Sequence, residues 1–291
     1  MTWKTYKPDE TKKAEQAAKK AKVQKDMQDS VKDLLAEIKS GKSERLMSYL
    51  SFAAKFHNYS PLNQLMIAMQ MPTASHVAGY TTWRKMGYQV RKGEKGIAIL
   101  GPRPFTKVKE EDGEEISYQG IAFKIVYVFD SSQLEANPEK PLPSFFTSLE
   151  GDHEMLYTSI AQAVKSSDIA LEEGNTGSAQ GWSEGGKIVL KEGLDSTNRS
   201  LVLIHEFAHE LLHQNPDGKK MSKQKKELHT EAVAYIVGTH YGIQSPYSSD
   251  YLQTWGNTEK ELMAELTTIK NTAHTIIEKI DAQQSPQSQA A

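Results

Sequence analysis

Residues 201–213, with the sequence LVLIHEFAHELLH, constrain the fold of this chain more strongly than any other segment. Their apolar residues recur at helical spacing, so the segment predicts a helix that is buried on one side. His205 and His209 are four positions apart, which places both imidazoles on one face about one turn apart. That is the geometry of two ligands of one tetrahedral zinc ion. Glu206 lies beside them, where its carboxylate can take a proton from a water at the metal.

A third ligand is predicted on the next helix, at about 222–240. Glu227 and Glu231 are four apart there and share a face, so packing against the first helix aims one carboxylate at the metal. We assign Glu227 as the ligand and Glu231 as the acceptor of the other ring N–H of a liganding histidine. The reverse assignment stays open. His229 lies on a neighbouring face, and His213 is expected to cap or line the edge of the site.

The absence of cysteine restricts the chemistry of this site. The chain has no Cys and nine His, so a metal has to be held by imidazole and carboxylate groups, and thiolate catalysis is excluded. Three protein ligands leave a fourth position for water, whose pKa zinc lowers towards neutrality. We therefore predict Zn²⁺, or another divalent metal such as Mn²⁺, and a metallopeptidase reaction with Glu206 as the catalytic general base. Tyr235 and His240 are weaker candidates for a further oxyanion donor.

The order of predicted elements indicates an α+β fold with two domains. Helical spacing predicts helices at 26–38, 44–57 and 61–70, and glycines between short apolar runs predict strands up to residue 129. Three prolines within 133–148 indicate a connection to a second domain. The predicted division is a basic flexible tail at 1–25, a first domain at 26–135, a linker at 136–150, a second domain at 151–282 and a disordered tail at 283–291.

The second domain is predicted to place the HExxH segment among further helices and two strands. Ser196 is the predicted N-cap of that helix, because its hydroxyl can accept from backbone N–H groups of the first turn. The strand segment 188–190 is predicted to pair with an extended substrate. The expected elements are helices at 152–165, 197–214, 222–240 and 258–281, and strands at 168–172 and 187–191 on either side of a glycine-rich loop.

A second candidate site is a basic and aromatic stretch between Trp83 and Lys107. Its basic residues are Arg84, Lys85, Arg91, Lys92, Lys95, Arg103 and Lys107, its one acid is Glu94, and Tyr80, Trp83, Tyr88 and Phe105 are interleaved with them. Binders of single-stranded nucleic acid need cations along the phosphates and rings on which bases stack. Composition alone leaves an ordinary solvated face as the alternative. The predicted DNA contacts are Tyr80, Trp83, Arg84, Lys85, Arg91, Lys92 and Lys95.

Charge and hydropathy bound the partners and the compartment. The net charge of −2 gives no global preference for nucleic acid, so any basic surface has to be local. The first 25 residues are lysine-rich without an apolar core, which is not typical of a secretory signal. No run approaches 18 continuous apolar residues, so we expect no membrane span and a cytoplasmic protein.

A resemblance to a known family adds expectations about fold and function that these patterns do not contain. The stretch at 58–100, NYSPLNQLMIAMQMPTASHVAGYTTWRKMGYQVRKGEKGIAIL, resembles the N-terminal domain of ArdC-type antirestriction proteins from plasmids and other mobile elements. VFDSSQLE, LVLIHEFAHELLH and ELHTEAVAYIV resemble the continuation of that family. The paired glutamates of the family fall on Glu227 and Glu231. Two departures are His229 and Thr230, where related sequences often carry Glu and Ala.

The resemblance implies an N-terminal α+β domain that binds single-stranded DNA, followed by a zincin-like metallopeptidase domain similar to the ImmA/IrrE and SprT-like group. It also implies a role in protecting incoming mobile-element DNA from host restriction, with single-stranded DNA and an unknown protein substrate as partners. Two alternatives stay open. In the first, the chain is a DNA-binding protection module whose metal site is structural or vestigial. In the second, the chain is a repressor-cleaving peptidase like ImmA.

Overall fold

The computed structural model describes residues 10–111, 114–136, 153–243 and 255–284 of the chain. The predicted linker at 136–150 lies outside the described residues from position 137 onwards. The helices are α1 (Glu10–Lys39), α2 (Glu44–Lys55), α3 (Pro61–Gln70), α4 (Tyr80–Lys85), α5 (His153–Lys165), α6 (Ser196–His213), α7 (Pro216–Lys219), α8 (Lys223–His240) and α9 (Glu259–Gln284). The strands are β1 (Val77–Gly79), β2 (Ile97–Glu111), β3 (Glu114–Asp130), β4 (Ala170–Gly174), β5 (Gly181–Ser183) and β6 (Lys187–Lys191).

The structure forms two units whose boundaries differ from the predicted domains at 26–135 and 151–282. Unit 1 contains Met1–Val31 and Leu65–Leu142, and unit 2 contains Lys32–Gln64 and Pro143–Ala291. Helix α2 therefore belongs with α8 in unit 2, where the hydroxyls of Ser51 and Tyr235 are 2.8 Å apart. The apolar face of α2 predicted a buried helix, but an apolar face does not specify which helix covers it.

Helix α1 begins well before the predicted start at residue 26. It is helical from Glu10, so the predicted flexible tail is corrected for residues 10–25, while residues 1–9 lie outside the described part. Lys, Ala, Gln and Glu, which fill this stretch, all have high helix propensity. Extending an existing helix requires no new nucleation, because the amphipathic segment that follows already supplies the first turns.

Unit 1 contains an antiparallel sheet with the strand order β1-β3-β2. The long strands β2 and β3 form a ribbon from the pair Ile97 and Val128 to the pair Glu111 and Glu114. Strand β1 pairs only with the end of β3 that contains residues 128–130. Beyond β1, the ribbon is therefore two strands wide within the described part of unit 1, and both of its faces carry exposed side chains.

The VFDSSQLE segment, residues 128–135, has a structural role in unit 1. The side chain of Asp130 is fully buried. Its Oδ2 accepts from the backbone N–H groups of Ser75 at 2.8 Å and His76 at 2.9 Å, and its Oδ1 accepts from Ser132 N–H at 3.0 Å. Gln133 completes a capping box, since its Oε1 accepts from the Asp130 N–H. Burial raises the pKa of Asp130, but these N–H donors outweigh it and hold the pKa below its ordinary value.

Asp130→Ala is expected to lower the free energy of unfolding of unit 1 by about 3 kcal/mol, because three partly buried N–H groups lose their shared acceptor at once. Asp130→Asn keeps one oxygen and should lose about half as much. Urea denaturation at pH 7 measures both. Because the folded pKa of Asp130 is depressed, its contribution should also fade as the pH drops through that pKa. An Asp130→Ala protein as stable as the wild type would contradict this role.

Unit 2 contains the helices α2 and α5 to α9 and a sheet with the order β4-β6-β5. Strand β6 is parallel to β4 and antiparallel to β5, and its residues Ile188 and Leu190 are fully buried. The predicted helices of this half and the strand at 187–191 are confirmed with small shifts of their ends. Strand β5 lies in the predicted glycine-rich loop and was not anticipated.

The N-cap of α6 is Asp195 rather than the predicted Ser196. The Asp195 side chain accepts from the Asn198 N–H at 2.9 Å, and a carboxylate at this position also interacts favourably with the positive end of the helix dipole. Among the described residues, no helix combines the length and the apolar content that crossing a bilayer requires.

Candidate metal centre and nucleic-acid interface

The apolar side of α6 packs into the core of unit 2. This packing fixes the orientation of the helix and therefore the direction in which its two histidines project. Leu203, Ile204 and Phe207 are fully buried. The side chains of His205 and His209 keep exposed fractions of 25% and 15%, so both imidazoles lie at the wall of a cavity. The predicted arrangement of two histidines on one helix face is therefore present in the structure.

Three potential ligand atoms converge at this wall. The Nε2 atoms of His205 and His209 are 3.1 Å apart, and Glu227 Oε2 from α8 lies 3.5 Å from the first and 3.8 Å from the second. Two ligands that are ~2.1 Å from one tetrahedral ion are about 3.4 Å apart. Within the described part of the chain, these are the His and carboxylate groups that place three ligand atoms within 4.8 Å of one another.

The donor set fits a divalent cation chemically as well as geometrically. Two imidazoles and one carboxylate form the ligand set of many catalytic zinc sites, in which a fourth position remains open. The imidazoles of His205 and then of His209, whose Nε2 atoms face Glu227 Oε2 at 3.5 and 3.8 Å, hold the pKa of Glu227 well below its ordinary value, so this carboxylate is ionised and able to bind a cation at neutral pH. The structure thus brings together the three residues that the sequence assigned as ligands.

Glu206 is buried next to this cluster, with an exposed fraction of 7%. Burial raises the pKa of its carboxyl group, which the neighbouring His205 and His209 and a hydrogen bond from Ser183 of β5 partly offset. A carboxylate with a raised pKa beside a metal site is suited to accept and return a proton.

Strand β5 approaches Glu206 closely because residue 181 is glycine. A Cβ atom on Gly181 would lie 2.7 Å from Val202 Cγ1 and 3.3 Å from Glu206 Cγ. Any other residue would clash with the side chains of α6 unless the strand or those side chains shifted. The predicted substrate strand at 188–190 is corrected here: β6 is paired on both sides, whereas β5 forms the edge of this sheet that lies beside Glu206 in the described residues. An edge strand has free backbone groups that can pair with an added strand.

Two cavities with different linings adjoin His205, Glu206 and Gly181. The first, ≈ 310 Å³, combines three apolar side chains with an amide and a second carboxylate besides Glu206. These are Leu201, Val202, Ala234, Gln180 and Glu231. The second, ≈ 510 Å³, also contains His209 and Glu227 and has a strongly basic wall. That wall comprises Lys219, Lys223 and Lys226 together with Trp182.

The structure places the other predicted residues of this site, Glu231, Tyr235 and His240, in different surroundings. Glu231 lines the first cavity beside Glu206. Tyr235 and His240, predicted as oxyanion donors, line neither cavity. Tyr235 is directed at Ser51, and His240 Nδ1 donates to the Ala54 carbonyl at 2.9 Å.

Of the predicted DNA contacts, Trp83 is corrected. Its side chain is fully buried, its Nε1–H donates to the Phe129 carbonyl at 2.8 Å, and its ring packs edge-on against Tyr88. A ring enclosed in this way has no free face on which a base can stack. Trp83 is a core residue of unit 1, which the local run of basic residues did not indicate.

The guanidinium of Arg91 is occupied by hydrogen bonds within unit 1. Its guanidinium donates from Nε and Nη2 to the Glu94 carboxylate at 2.9 and 2.6 Å and from Nη1 to the Leu134 carbonyl at 2.9 Å. Gln133 also donates to Glu94 at 3.0 Å. The other predicted contacts are exposed and available to a ligand. They are Tyr80, Arg84, Lys85, Lys92 and Lys95.

The β2–β3 ribbon carries a further set of cations and rings on one face. The register pairs Arg103 with Ala122, Phe105 with Gly120, Lys107 with Tyr118 and Gly101 with Lys124. Because side chains alternate along a strand, the paired residues project from the same face. Phe105 and Tyr118 have exposed fractions of 37% and 45%. We call this surface the ribbon face; it consists of Arg103, Phe105, Lys107, Tyr118 and Lys124.

Comparison with known proteins relates the chain to antirestriction factors. Residues 20–129 match the family described as the N-terminal domain of anti-restriction factor ArdC. The chain is 26% identical over 283 residues to the uncharacterized protein pXO2-81 of Bacillus anthracis, covering 82% of this chain and 48% of that protein. The chain therefore spans about half the length of this relative.

The fold is similar to that of the antirestriction ArdC protein from the R388 plasmid. Its metal-free crystal structure matches 88% of this chain and 98% of its own, with a TM-score of 0.56 and 17% identity. Its Mn(II)-bound crystal structure matches 87% and 97%, with a TM-score of 0.50 and 17% identity. The chain thus shares a mixed helix and sheet fold with ArdC and carries a segment that matches its N-terminal domain.

Proposed function

We propose that this chain is a divalent-metal-dependent peptidase that also binds single-stranded DNA and protects mobile-element DNA from restriction. The observation that carries the peptidase proposal is the convergence of His205, His209 and Glu227 with the buried carboxylate of Glu206 beside them. A purely structural site needs only its ligands. A buried carboxylate next to those ligands adds a proton acceptor, which hydrolysis requires.

In this proposal each side chain has a defined task. His205, His209 and Glu227 hold Zn²⁺ or Mn²⁺, and a cation so held supplies a Lewis acid that polarises a carbonyl and acidifies water. The Mn(II)-bound structure of the R388 protein supports a divalent metal in a related fold. Glu206 accepts a proton from the attacking water and delivers it to the leaving amine nitrogen.

The proposed substrate is an extended segment of polypeptide. It adds to the edge of β5, so that its backbone hydrogen bonds hold the scissile carbonyl near Glu206. Side chains of this substrate segment then enter the two cavities. The apolar lining of Leu201 and Val202 suits an apolar side chain, and the lysines of the second cavity favour acidic ones.

The proposed DNA-binding surface lies in unit 1, on the ribbon face and the exposed cations of the preceding stretch. The ribbon face combines two partly exposed rings with three cations, which is the combination that single-stranded nucleic acid binds. The match of residues 20–129 to an anti-restriction domain supports the assignment, since such a factor acts where DNA is attacked.

Phe105→Ala and Tyr118→Ala are each expected to weaken binding to single-stranded DNA by about 1–3 kcal/mol, because each removes a stacking ring. Fluorescence anisotropy with a labelled oligonucleotide measures the loss, and a salt series separates it from phosphate contacts. Phe123→Ala is the matched control, since Phe123 lies on the opposite face and is 62% exposed. Equal losses for Phe105→Ala and Phe123→Ala, or no preference for single strands, would exclude the ribbon face.

Digestion of casein by the metal-loaded protein, with and without single-stranded DNA, tests the combined function. We expect cleavage that stops when a chelator is added and returns when Zn²⁺ or Mn²⁺ is restored. A paired assay measures the transfer of plasmid DNA into a restricting host. If protection persists in a protein that cleaves nothing, the chain is a DNA-binding protection module and its metal site is not catalytic.

A further inference from the structure

The two ring nitrogens of His209 have different neighbours. Nε2 faces the metal cluster, where it lies 3.1 Å from His205 Nε2 and 3.8 Å from Glu227 Oε2. Nδ1 points the other way and lies 3.0 Å from Nδ1 of His213, one turn further along α6. The sequence placed His213 at the edge of the site but assigned no contact to it.

A distance of 3.0 Å between two ring nitrogens requires one proton between them. A histidine that binds a cation through Nε2 keeps its proton on Nδ1, so His209 is the donor and His213 Nδ1 is the acceptor. The proton of a neutral His213 then resides on its Nε2. That atom is buried without a hydrogen-bond partner among the described residues. No second hydrogen bond therefore competes with the one at Nδ1 for the orientation of the His213 ring.

The ring of His213 is held by its surroundings rather than by further hydrogen bonds. It is 3% exposed and stacks on His229 of α8, with ring centroids 5.9 Å apart and an interplanar angle of 16°. Gly218 of α7 packs against the backbone, since a Cβ there would lie 2.3 Å from the Leu212 carbonyl oxygen and 2.6 Å from His213 Cα. These contacts fix the position of the acceptor nitrogen.

We propose that His213 is a positioning residue that accepts the Nδ1–H of His209 and thereby directs the Nε2 lone pair of His209 at the divalent cation. In this role it replaces the carboxylate or carbonyl acceptor that usually orients a liganding histidine. The residue that the sequence assigned to this task was Glu231. The inference rests on the proposed metal site, and it concerns the affinity of that site rather than the reaction.

Three variants of the full chain separate an acceptor from a packing role. His213→Phe keeps a ring that can stack on His229 but has no acceptor, and it is expected to bind Zn²⁺ about 10–100-fold more weakly. His213→Asn places an amide oxygen close to the Nδ1 position and should stay within about threefold of the wild type. His229→Phe is the control, because His229 contacts the His213 ring and its own ring nitrogens have no partner in the described residues.

Chelator competition measures the Zn²⁺ affinity, and thermal unfolding of the metal-free proteins reports whether each variant is folded. Nitrogen-15 spectra of the metal-free wild type give a second readout, because they identify the protonated ring nitrogen of His209. We expect the proton on Nδ1 in the wild type and His213→Asn, and a shift towards Nε2 in His213→Phe.

Equal affinities of folded His213→Phe and wild-type protein, or an equal loss in His213→Phe and His213→Asn, would overturn the inference. So would a wild-type His209 that carries its proton on Nε2. A wild-type chain that binds no Zn²⁺ or Mn²⁺ would instead overturn the proposed metal site, and the position of the His209 proton would still decide the contact with His213.

Discussion

Replacing Glu206 by glutamine is expected to reduce peptide hydrolysis by about 10²–10⁴-fold while the metal affinity stays close to that of the wild type. The amide has nearly the shape of the carboxylate but cannot accept a proton from water. Glu206 is adjacent to both histidines in the fold without being one of the three converging ligands. The substitution therefore removes the proton acceptor and keeps the site that binds the cation.

The measurement is the rate of casein cleavage by the metal-loaded variant, accompanied by its metal content. Ser183→Ala is a useful companion, because it removes the hydrogen bond to Glu206 but keeps the carboxylate, so its loss should be much smaller. A Glu206→Gln protein that cleaves at the wild-type rate would exclude Glu206 as the general base. A variant that loses its metal would show that Glu206 helps to bind the cation.

Replacing Glu227 by glutamine is expected to weaken Zn²⁺ binding at least about 100-fold, since even the loss of a residue that only orients a ligand weakens binding 10–100-fold. Glu227 Oε2 is 3.5 Å from His205 Nε2 and 3.8 Å from His209 Nε2, and the loss of its charge leaves two neutral imidazoles. Chelator competition provides the affinity, as for the His213 variants.

Glu231→Gln is the matched control for this prediction, because it makes the same change one turn along the same helix. Glu231 lines the cavity beside Glu206 and does not belong to the converging group. We expect its effect on Zn²⁺ affinity to be small. A large loss in Glu231→Gln with a small one in Glu227→Gln would reverse the assignment of the third ligand.

The geometry of the metal cluster was accessible to sequence reasoning because it depends on local periodicity. His205 and His209 must share a face of any helix that contains them, and the same holds for Glu227 and Glu231 on α8. The choice between the two glutamates depends on how α8 packs against α6, which helical periodicity does not contain. Here the packing brings Glu227 to the histidines.

Other features depended on long-range contacts and were missed for that reason. Strand β5 has three residues inside a glycine-rich loop, and its position is set by the close approach of Gly181 to α6. The hydrogen bond between His209 and His213 is an exception, because it joins residues four apart on one helix; it was missed because nothing local excluded a carboxylate acceptor. The membership of α2 in unit 2 follows from its packing on α8, since an amphipathic helix does not encode its partner.

The basic and aromatic stretch shows the limit of composition as a guide. Trp83 and Arg91 matched the pattern of a nucleic-acid binder, yet one is a core residue and the other holds Glu94 and the Leu134 carbonyl. The ribbon face became visible only when the strand register placed Phe105 and Tyr118 on the same side. Composition drew attention to this stretch but did not separate its buried residues from its exposed ones.

Anomalous diffraction from crystals of the chain loaded with Zn²⁺ or Mn²⁺ tests the central claim most directly. The account predicts one strong peak at ~2.0–2.2 Å from Nε2 of His205, Nε2 of His209 and a carboxylate oxygen of Glu227, with Glu206 beside it but not bound. A peak coordinated by Glu231 instead of Glu227, or no peak between the two histidines, would contradict it.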